Sequence, residues 1–401
     1  MFEIYSWYKN PYQFLEDKKS IWGDTFYLDF KALGKSLITG DEKLIEEIQK
    51  NKLLVGGIGS QFLHHLVGPS MITLEGPDHI ERRRKLNPYF FNLDEKRIID
   101  LTNKALDQEF HHFQKNRTIS MIEWTNSVTL RTIIKYVFDE MEIEEENEVF
   151  NLISEWKKSL KFSAIIFLKP LQLNISKYFG WGKYLEKRSR VHQFILNKIN
   201  QREKNNGLLS KMIEEFEWKK EELLFETISI LMFGHDTTAI LIGWWTKHML
   251  TNKNWDSKLS KELIESSLKE TARITPPVVH LTRVAKEDTQ VGQFKILKNQ
   301  KILPCIYLSH MNNSNFPDPS QFKLDRFLNK KSISPYQYYP FGFGDRLCLG
   351  KFFAEIQTNT IAKRLLENVE LSLVDKNIPS VRQFFLMVPK HGTRVKVVRF
   401  L

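Results

Sequence analysis

The sequence predicts a mainly α-helical fold decorated with small β-sheets. Apolar residues recur three and four apart through most of the chain between Asp41 and Leu366, as in Leu44-Ile45-Ile48, Ile98-Leu101-Ala105 and Leu223-Phe225-Ile228-Leu231-Met232. β-Branched runs punctuated by glycine occupy shorter stretches near both ends. No internal repeat, low-complexity tract or Pro/Ser-rich linker divides the 401 residues, so a single domain over residues 1–401 is expected.

In chain order, Asp24-Thr-Phe-Tyr-Leu-Asp-Phe30 and Lys35-Ser-Leu-Ile-Thr39 alternate polar with apolar around Gly34, which predicts a hairpin and a small sheet opening the chain. Helices follow. The longest apolar stretch, Leu223 to Leu250, contains Glu226, His235, Asp236 and Lys247; these are expensive in hydrocarbon and predict a helix buried in protein. Between Lys286 and Pro304, and again from Phe384 to Val398, turn signals such as Gly292 and Gly392 predict short strands.

Composition bounds the function. With 59 Lys plus Arg against 48 Asp plus Glu, the net charge is +11, yet the basic residues are dispersed and form no arginine-rich tail. A basic nucleic-acid-binding protein would explain that charge but none of the motifs below, so no nucleic acid is expected. Two cysteines, Cys305 and Cys348, exclude a disulfide framework and a structural zinc site built from cysteine alone. The cysteine usage reads as a reducing compartment and the amino terminus shows neither secretory signal nor anchor pattern, so a cytoplasmic protein without a membrane anchor is expected; a monomer is also expected.

The most informative segment is Pro340-Phe-Gly-Phe-Gly-Asp-Arg-Leu-Cys-Leu-Gly-Lys-Phe-Phe-Ala-Glu355, immediately before a helical run from Lys351 to Leu366. Glycines permit a tight turn and close approach, and a following helix amino terminus and an arginine favour a thiolate that can ligate iron. Taken alone, Cys348 reads as a small buried hydrophobe in a glycine-rich turn. A dinucleotide fingerprint fails because Leu347 stands where its third glycine belongs and no strand-helix-strand unit surrounds it.

Three other patterns stand out. Glu270 and Arg273 are three apart and share one helical face, which by itself reads as a surface ion pair. His79 and Arg83 share another, in a run that by itself reads as a solvated basic helix. Gly234-His-Asp-Thr-Thr238 sits midway along the apolar stretch and by itself reads as a polar kink satisfied by its own backbone.

Phe341, Gly344, Cys348 and Gly350 match Phe-x-x-Gly-x-x-x-Cys-x-Gly, and here the chain resembles the cytochrome P-450 superfamily. The resemblance implies the P-450 fold, with haem b (iron protoporphyrin IX) between a long central helix and the cysteine loop with its helix. Cys348 is implied as axial thiolate, Phe341 as packing beside it, Gly350 as part of the haem-binding turn, and Arg346 as a propionate partner together with His79, Arg83 and Arg283. Glu270, Arg273 and Arg326 match a structural Glu-x-x-Arg pair completed by a later arginine. Asp236 and Thr237 match an acid-alcohol pair, Asp236 relaying protons and Thr237 holding oxygen-derived species by hydrogen bonds. The family usually has Ala or Gly where this chain has Phe233, so a ring is expected to roof the haem.

Substrate contacts implied by the same resemblance fall on Phe62, Leu66, Phe233, Val278, Val279 and Leu386, with Phe162, Ile165, Phe167 and Met387 in the same stretches. Their apolar character implies a hydrophobic small molecule. The implied reaction is haem-thiolate monooxygenation with O2 and two electrons from a separate donor, a ferredoxin or flavodoxin with its reductase; Arg82, Arg84, Lys85 and Lys351 read either as a basic docking face for that donor or as ordinary solvated charges. The rivals are a peroxygenase, a haem-dependent isomerase, and a non-catalytic haem-binding sensor or carrier.

Overall fold

The computed structural model describes residues 2–30, 34–57, 63–115, 118–159, 180–328, 333–383 and 385–401. It divides into two compact units, one comprising Met1–Gly59, Leu106–Asn126 and Thr237–Leu401, the other Ser60–Ala105 and Ser127–Asp236.

In the first unit the expected hairpin forms, Thr25–Phe30 running antiparallel to Gly34–Thr39 with Thr25 opposite Thr39. The second strand also pairs in parallel with Lys301–Pro304, which continues through Arg283–Ala285 to Leu54–Val55 in a five-stranded sheet. Period-two alternation sends neighbouring side chains to opposite faces. Leu37 joins Ile48, Leu54 and Ile302 on one side, and Ile38 joins Tyr12, Leu15 and Leu308 on the other.

The sheet does not open the chain as expected. Two helices, Phe2–Lys9 and Pro11–Trp22, come first. Pro11 is pre-set for a first helical turn, and Asn10 caps it by accepting the Gln13 N–H. Burial of Tyr12, Phe14 and Leu15 then fixes the second helix on the sheet's core cluster. Later in this unit Ser260 caps Lys261–Ile274, and Lys351–Asn368 follows the cysteine loop directly.

The described residues of the second unit form helices joined by turns and loops, with no strand among them. Ile143–Ser159 packs on Gly180–Gln201, which packs on Lys220–Phe233. The fully buried Trp156 lies between Tyr184 and His192.

The apolar stretch expected as one long helix is two, Lys220–Phe233 and Asp236–Thr251, parted at Gly234-His235. His235 takes the break: its Nδ1 donates to the Leu231 carbonyl at 2.7 Å, and its own carbonyl accepts from Thr129 Oγ1 at 3.2 Å. Glycine is required beside it, because a Cβ at Gly234 would stand 2.5 Å from the Ile230 oxygen and 3.1 Å from Ile133. No described helix is long and apolar enough to cross a membrane.

Candidate active site

In the first unit the cysteine loop is a folded turn whose shape is set by its glycines. Gly342 and Gly344 take φ of 75° and 65°, the left-handed region that side chains disfavour. A Cβ on Gly344 would also run into the Gln49 side chain. The Cys348 N–H donates to the Phe341 carbonyl at 2.8 Å, closing the loop and leaving the thiol exposed just before the helix Lys351–Asn368. Gly350 is the N-cap of that helix. Phe343 anchors the turn in a cluster with Ile45, Ile306 and Tyr339.

Two guanidinium groups gather beside the backbone of Gly56. A Cβ there would lie 3.2 Å from Arg346 Cγ and 3.3 Å from both Arg346 Nε and Arg283 Nη1. Arg283 is buried on its strand and stacks over the Phe343 ring at 5.6 Å. Two cations brought this close are suited to a group carrying carboxylates.

The loop's rear is tied into a buried ionic network. Glu270 accepts Arg273 Nε at 2.7 Å, Arg273 Nη2 at 2.9 Å and Arg326 Nε at 2.9 Å, together with the Lys323 N–H at 3.1 Å. Arg326 Nη1 donates to the Pro317 carbonyl and its Nη2 to those of Asp318 and Gln321. Arg273 Nη1 reaches the His310 carbonyl at 2.9 Å, and the His310 ring accepts the N–H of Tyr339 at 3.0 Å, one residue before the loop. Glu270, Arg273 and Arg326 thus form an interior network rather than the surface ion pair that spacing alone suggests, and His310, which no motif marked, extends it to the loop.

In the second unit Asp236 opens its helix and is ion-paired with Lys157 Nζ. That ammonium also lies 3.2 Å from His235 Nε2. Thr237, the next residue along, is half-buried. No sequence signal pointed to Lys157, which stands 79 positions away from Asp236. Phe233 ends the preceding helix, half-buried. On the helix Gly76–Phe91, His79 is buried and Arg83 half-buried, on one face as expected.

The basic docking face is not what the sequence suggested. Arg82 turns inward, its guanidinium 2.9 Å from Glu222, 3.0 Å from Glu226 and over the Trp218 ring. Lys85 is occupied by Glu81 and the Glu217 carbonyl. Helical periodicity explains this, since Arg82 falls in line with the buried Leu86 and Tyr89. Arg84 is exposed and Lys351 half-buried.

A family model described as cytochrome P450 matches residues 2–397. The chain belongs to the cytochrome P450 family. Among its relatives, a Mycobacterium tuberculosis protein described as cytochrome P450 137 is 23% identical over 399 residues, 94% of this chain and 83% of the relative. A mouse protein, cytochrome P450 4V2, is 32% identical over 183 residues, 40% of this chain and 35% of the relative. The crystal structure of the cytochrome P450DA haem domain superposes with a TM-score of 0.84 at 17% identity, covering 97% of this chain and 93% of that one. Cyanobacterial CYP120A1 with retinoic acid bound gives 0.81 at 18% identity, covering 97% and 94%.

This P450 is therefore a haem monooxygenase of mainly helical P450 fold with iron protoporphyrin IX as its cofactor. Its own residues fit that group: an exposed thiol on a glycine-shaped turn, and two guanidiniums gathered beside Gly56 within one unit.

The residues expected at substrate separate. Val278 and Leu386 are bridge partners, and both pack with Ile240, Trp244 and Val388. Val279 turns the other way into the core cluster with Tyr12, Tyr307 and Met387, because adjacent residues of an extended segment face opposite sides. Leu66 is buried on the short helix His64–Val67 of the second unit. Phe62, Phe162, Ile165 and Phe167 lie outside the described residues.

Proposed function

We propose that this P450 oxidises a hydrophobic small molecule with O2 and two electrons from a separate ferredoxin or flavodoxin system, all 401 residues acting as one P450 domain. In this reading Cys348 would supply the thiolate ligand to the haem iron, Arg283 and Arg346 would hold its propionates, and His79 and Arg83 would be further propionate partners. The haem supplies oxygen activation when bound, with thiolate ligation favouring oxygen-oxygen cleavage. The observation that carries the reading is the exposed Cys348 thiol on a turn whose neighbouring arginines converge beside Gly56.

The chain's residues then hold and move protons. Asp236 takes protons from solvent and passes them inward, and the Thr237 hydroxyl donates a hydrogen bond toward the reacting oxygen. The apolar group of Val278, Leu386, Ile240 and Trp244 favours a substrate held by burial of hydrocarbon rather than by charge.

The test is the carbon monoxide difference spectrum of the reduced protein, followed by turnover with surrogate ferredoxin and reductase against turnover with peroxide alone. The native chain is expected to give the thiolate-type band and Cys348→Ser to lose it. Product formed only with the electron donor supports the monooxygenase reading; product with peroxide alone moves the assignment to a peroxygenase.

A further inference from the structure

His235 has no part in the reading above, yet it is fully buried and engaged on every polar edge. Its Nδ1 faces the Leu231 carbonyl at 2.7 Å, which requires the proton on that nitrogen. Nε2 is then a bare acceptor, and the group it meets at 3.2 Å is the ammonium of Lys157. The same ammonium is paired with Asp236 Oδ1, and that oxygen lies 3.6 Å from His235 Nε2. The backbone of His235 is held as well, its carbonyl accepting from Thr129.

We propose, on the reading of Asp236 as a proton-handling carboxylate, that His235 is a positioning residue: it acts through Lys157, fixing that ammonium against Asp236 at the break between the two helices. Lysine carries four rotatable bonds and three donors, so one carboxylate cannot define where its ammonium sits. A second acceptor on rigid, buried backbone does. The geometry demands a neutral ring, and burial supplies it, pushing the His235 pKa down to about 4, with Lys157 acting in the same direction and Asp236 and the Leu231 carbonyl opposing. The helix break itself serves this arrangement, since it frees Nδ1 to be anchored while Nε2 points at the lysine.

The contact is read directly by nitrogen-15 NMR of histidine-labelled protein with haem bound, in the diamagnetic reduced carbon monoxide form. Lys157→Met is expected to move the His235 Nε2 resonance; no movement overturns the proposal without requiring any His235 variant to fold. Function is read as product formed per oxygen consumed and as the solvent deuterium isotope effect. His235→Leu and Lys157→Met are each expected to lower product yield by up to about 100-fold, the scale of a 1 Å misplacement at a reacting site. The double variant is expected to be no worse than Lys157→Met alone, because the histidine acts through the lysine. Multiplicative losses overturn the proposal and leave His235 as a structural kink residue. Asp236→Asn separates the two levels: unchanged yield and isotope effect remove the reading of Asp236 and the proposal with it, whereas an impaired Asp236→Asn beside multiplicative losses removes the proposal alone.

Discussion

The N–H of Tyr339 donates to Nε2 of His310 at 3.0 Å, and this bond joins the ionic network of Glu270 to the cysteine loop. Both rings are buried, and the Tyr339 hydroxyl continues to Ser309 at 2.8 Å, which in turn donates to the Gly40 carbonyl. His310→Leu leaves the Tyr339 N–H buried without its acceptor, which costs about 1–3 kcal/mol. The expected outcome is a lower unfolding midpoint together with faster loss of the thiolate-type carbon monoxide band on warming. A variant whose midpoint falls while the band stays as durable as in the native protein would show that His310 supports the fold but not the loop.

Glu270 neutralises two buried guanidiniums at once, Arg273 and Arg326, and accepts the Lys323 N–H as well. Glu270→Gln keeps the volume and removes the charge, stranding cations in the interior at about 3–5 kcal/mol. Chemical denaturation should show that loss. Arg326→Lys keeps the charge but cannot reach Glu270 and three carbonyls together, so a smaller destabilisation is expected from it. Equal effects from the two variants would mean that charge balance matters less here than the arginine fork.

Part of this was legible from residue types and spacing. Glu270 and Arg273 had to share a face, and the order of glycines, arginine and cysteine from Pro340 onward marked a turn built around a thiol. What spacing cannot reveal is the partner a long chain separation brings in. Lys157 meets Asp236 across 79 positions, His310 meets Tyr339 across 29, and neither sits in a local pattern. Inside a single basic run, sequence also failed to separate Arg82, which turns to Glu226, from the exposed Arg84. The break at Gly234-His235 was hidden because hydrophobicity continues through it; the polar contacts of one histidine, not a loss of apolar character, end the helix.

Five histidines with lowered pKa values make the fold sensitive to mild acid. Burial pushes His192, His235 and His280 down to about 4 and His310 to about 3, and lowers His248 as well. An unfolded chain takes up protons on these rings below about pH 6.5, whereas the folded chain does not. Stability is therefore complete above that value and falls as pH drops toward the folded pKa values, by roughly 2 kcal/mol at about pH 5 for a fully buried ring such as His235 and by less for the partly exposed His192. Denaturation midpoints measured from pH 8 down to 5 should decline, and His192→Asn should flatten the slope. A flat native profile would show the rings to be protonated in the folded state.

Glu226 contributes the opposite slope. It is buried on the helix Lys220–Phe233, where Oε1 accepts the Met71 N–H at 2.7 Å and Arg82 Nη1 at 3.0 Å. Burial outweighs the nearby guanidinium and raises its pKa to about 7. Between the unfolded value near 4.5 and that folded value, the folded chain holds a proton that the unfolded chain has released. Stability from this group is thus greatest at low pH, is lost as pH rises to about 7, and stays level above, a total of about 3 kcal/mol. Glu226→Gln retains an oxygen for Met71 and Arg82 but never ionises. Its stability relative to the native chain should therefore rise from about pH 4.5 to about pH 7, and the comparison at each pH cancels the histidines. The same carboxyl holds the backbone of Met71, in the segment that follows the helix bearing Leu66, so hydrogen exchange at the Met71 amide should quicken with pH more steeply in the native chain than in Glu226→Gln. A constant stability difference across this range would show that Glu226 is already ionised against Arg82 at pH 5.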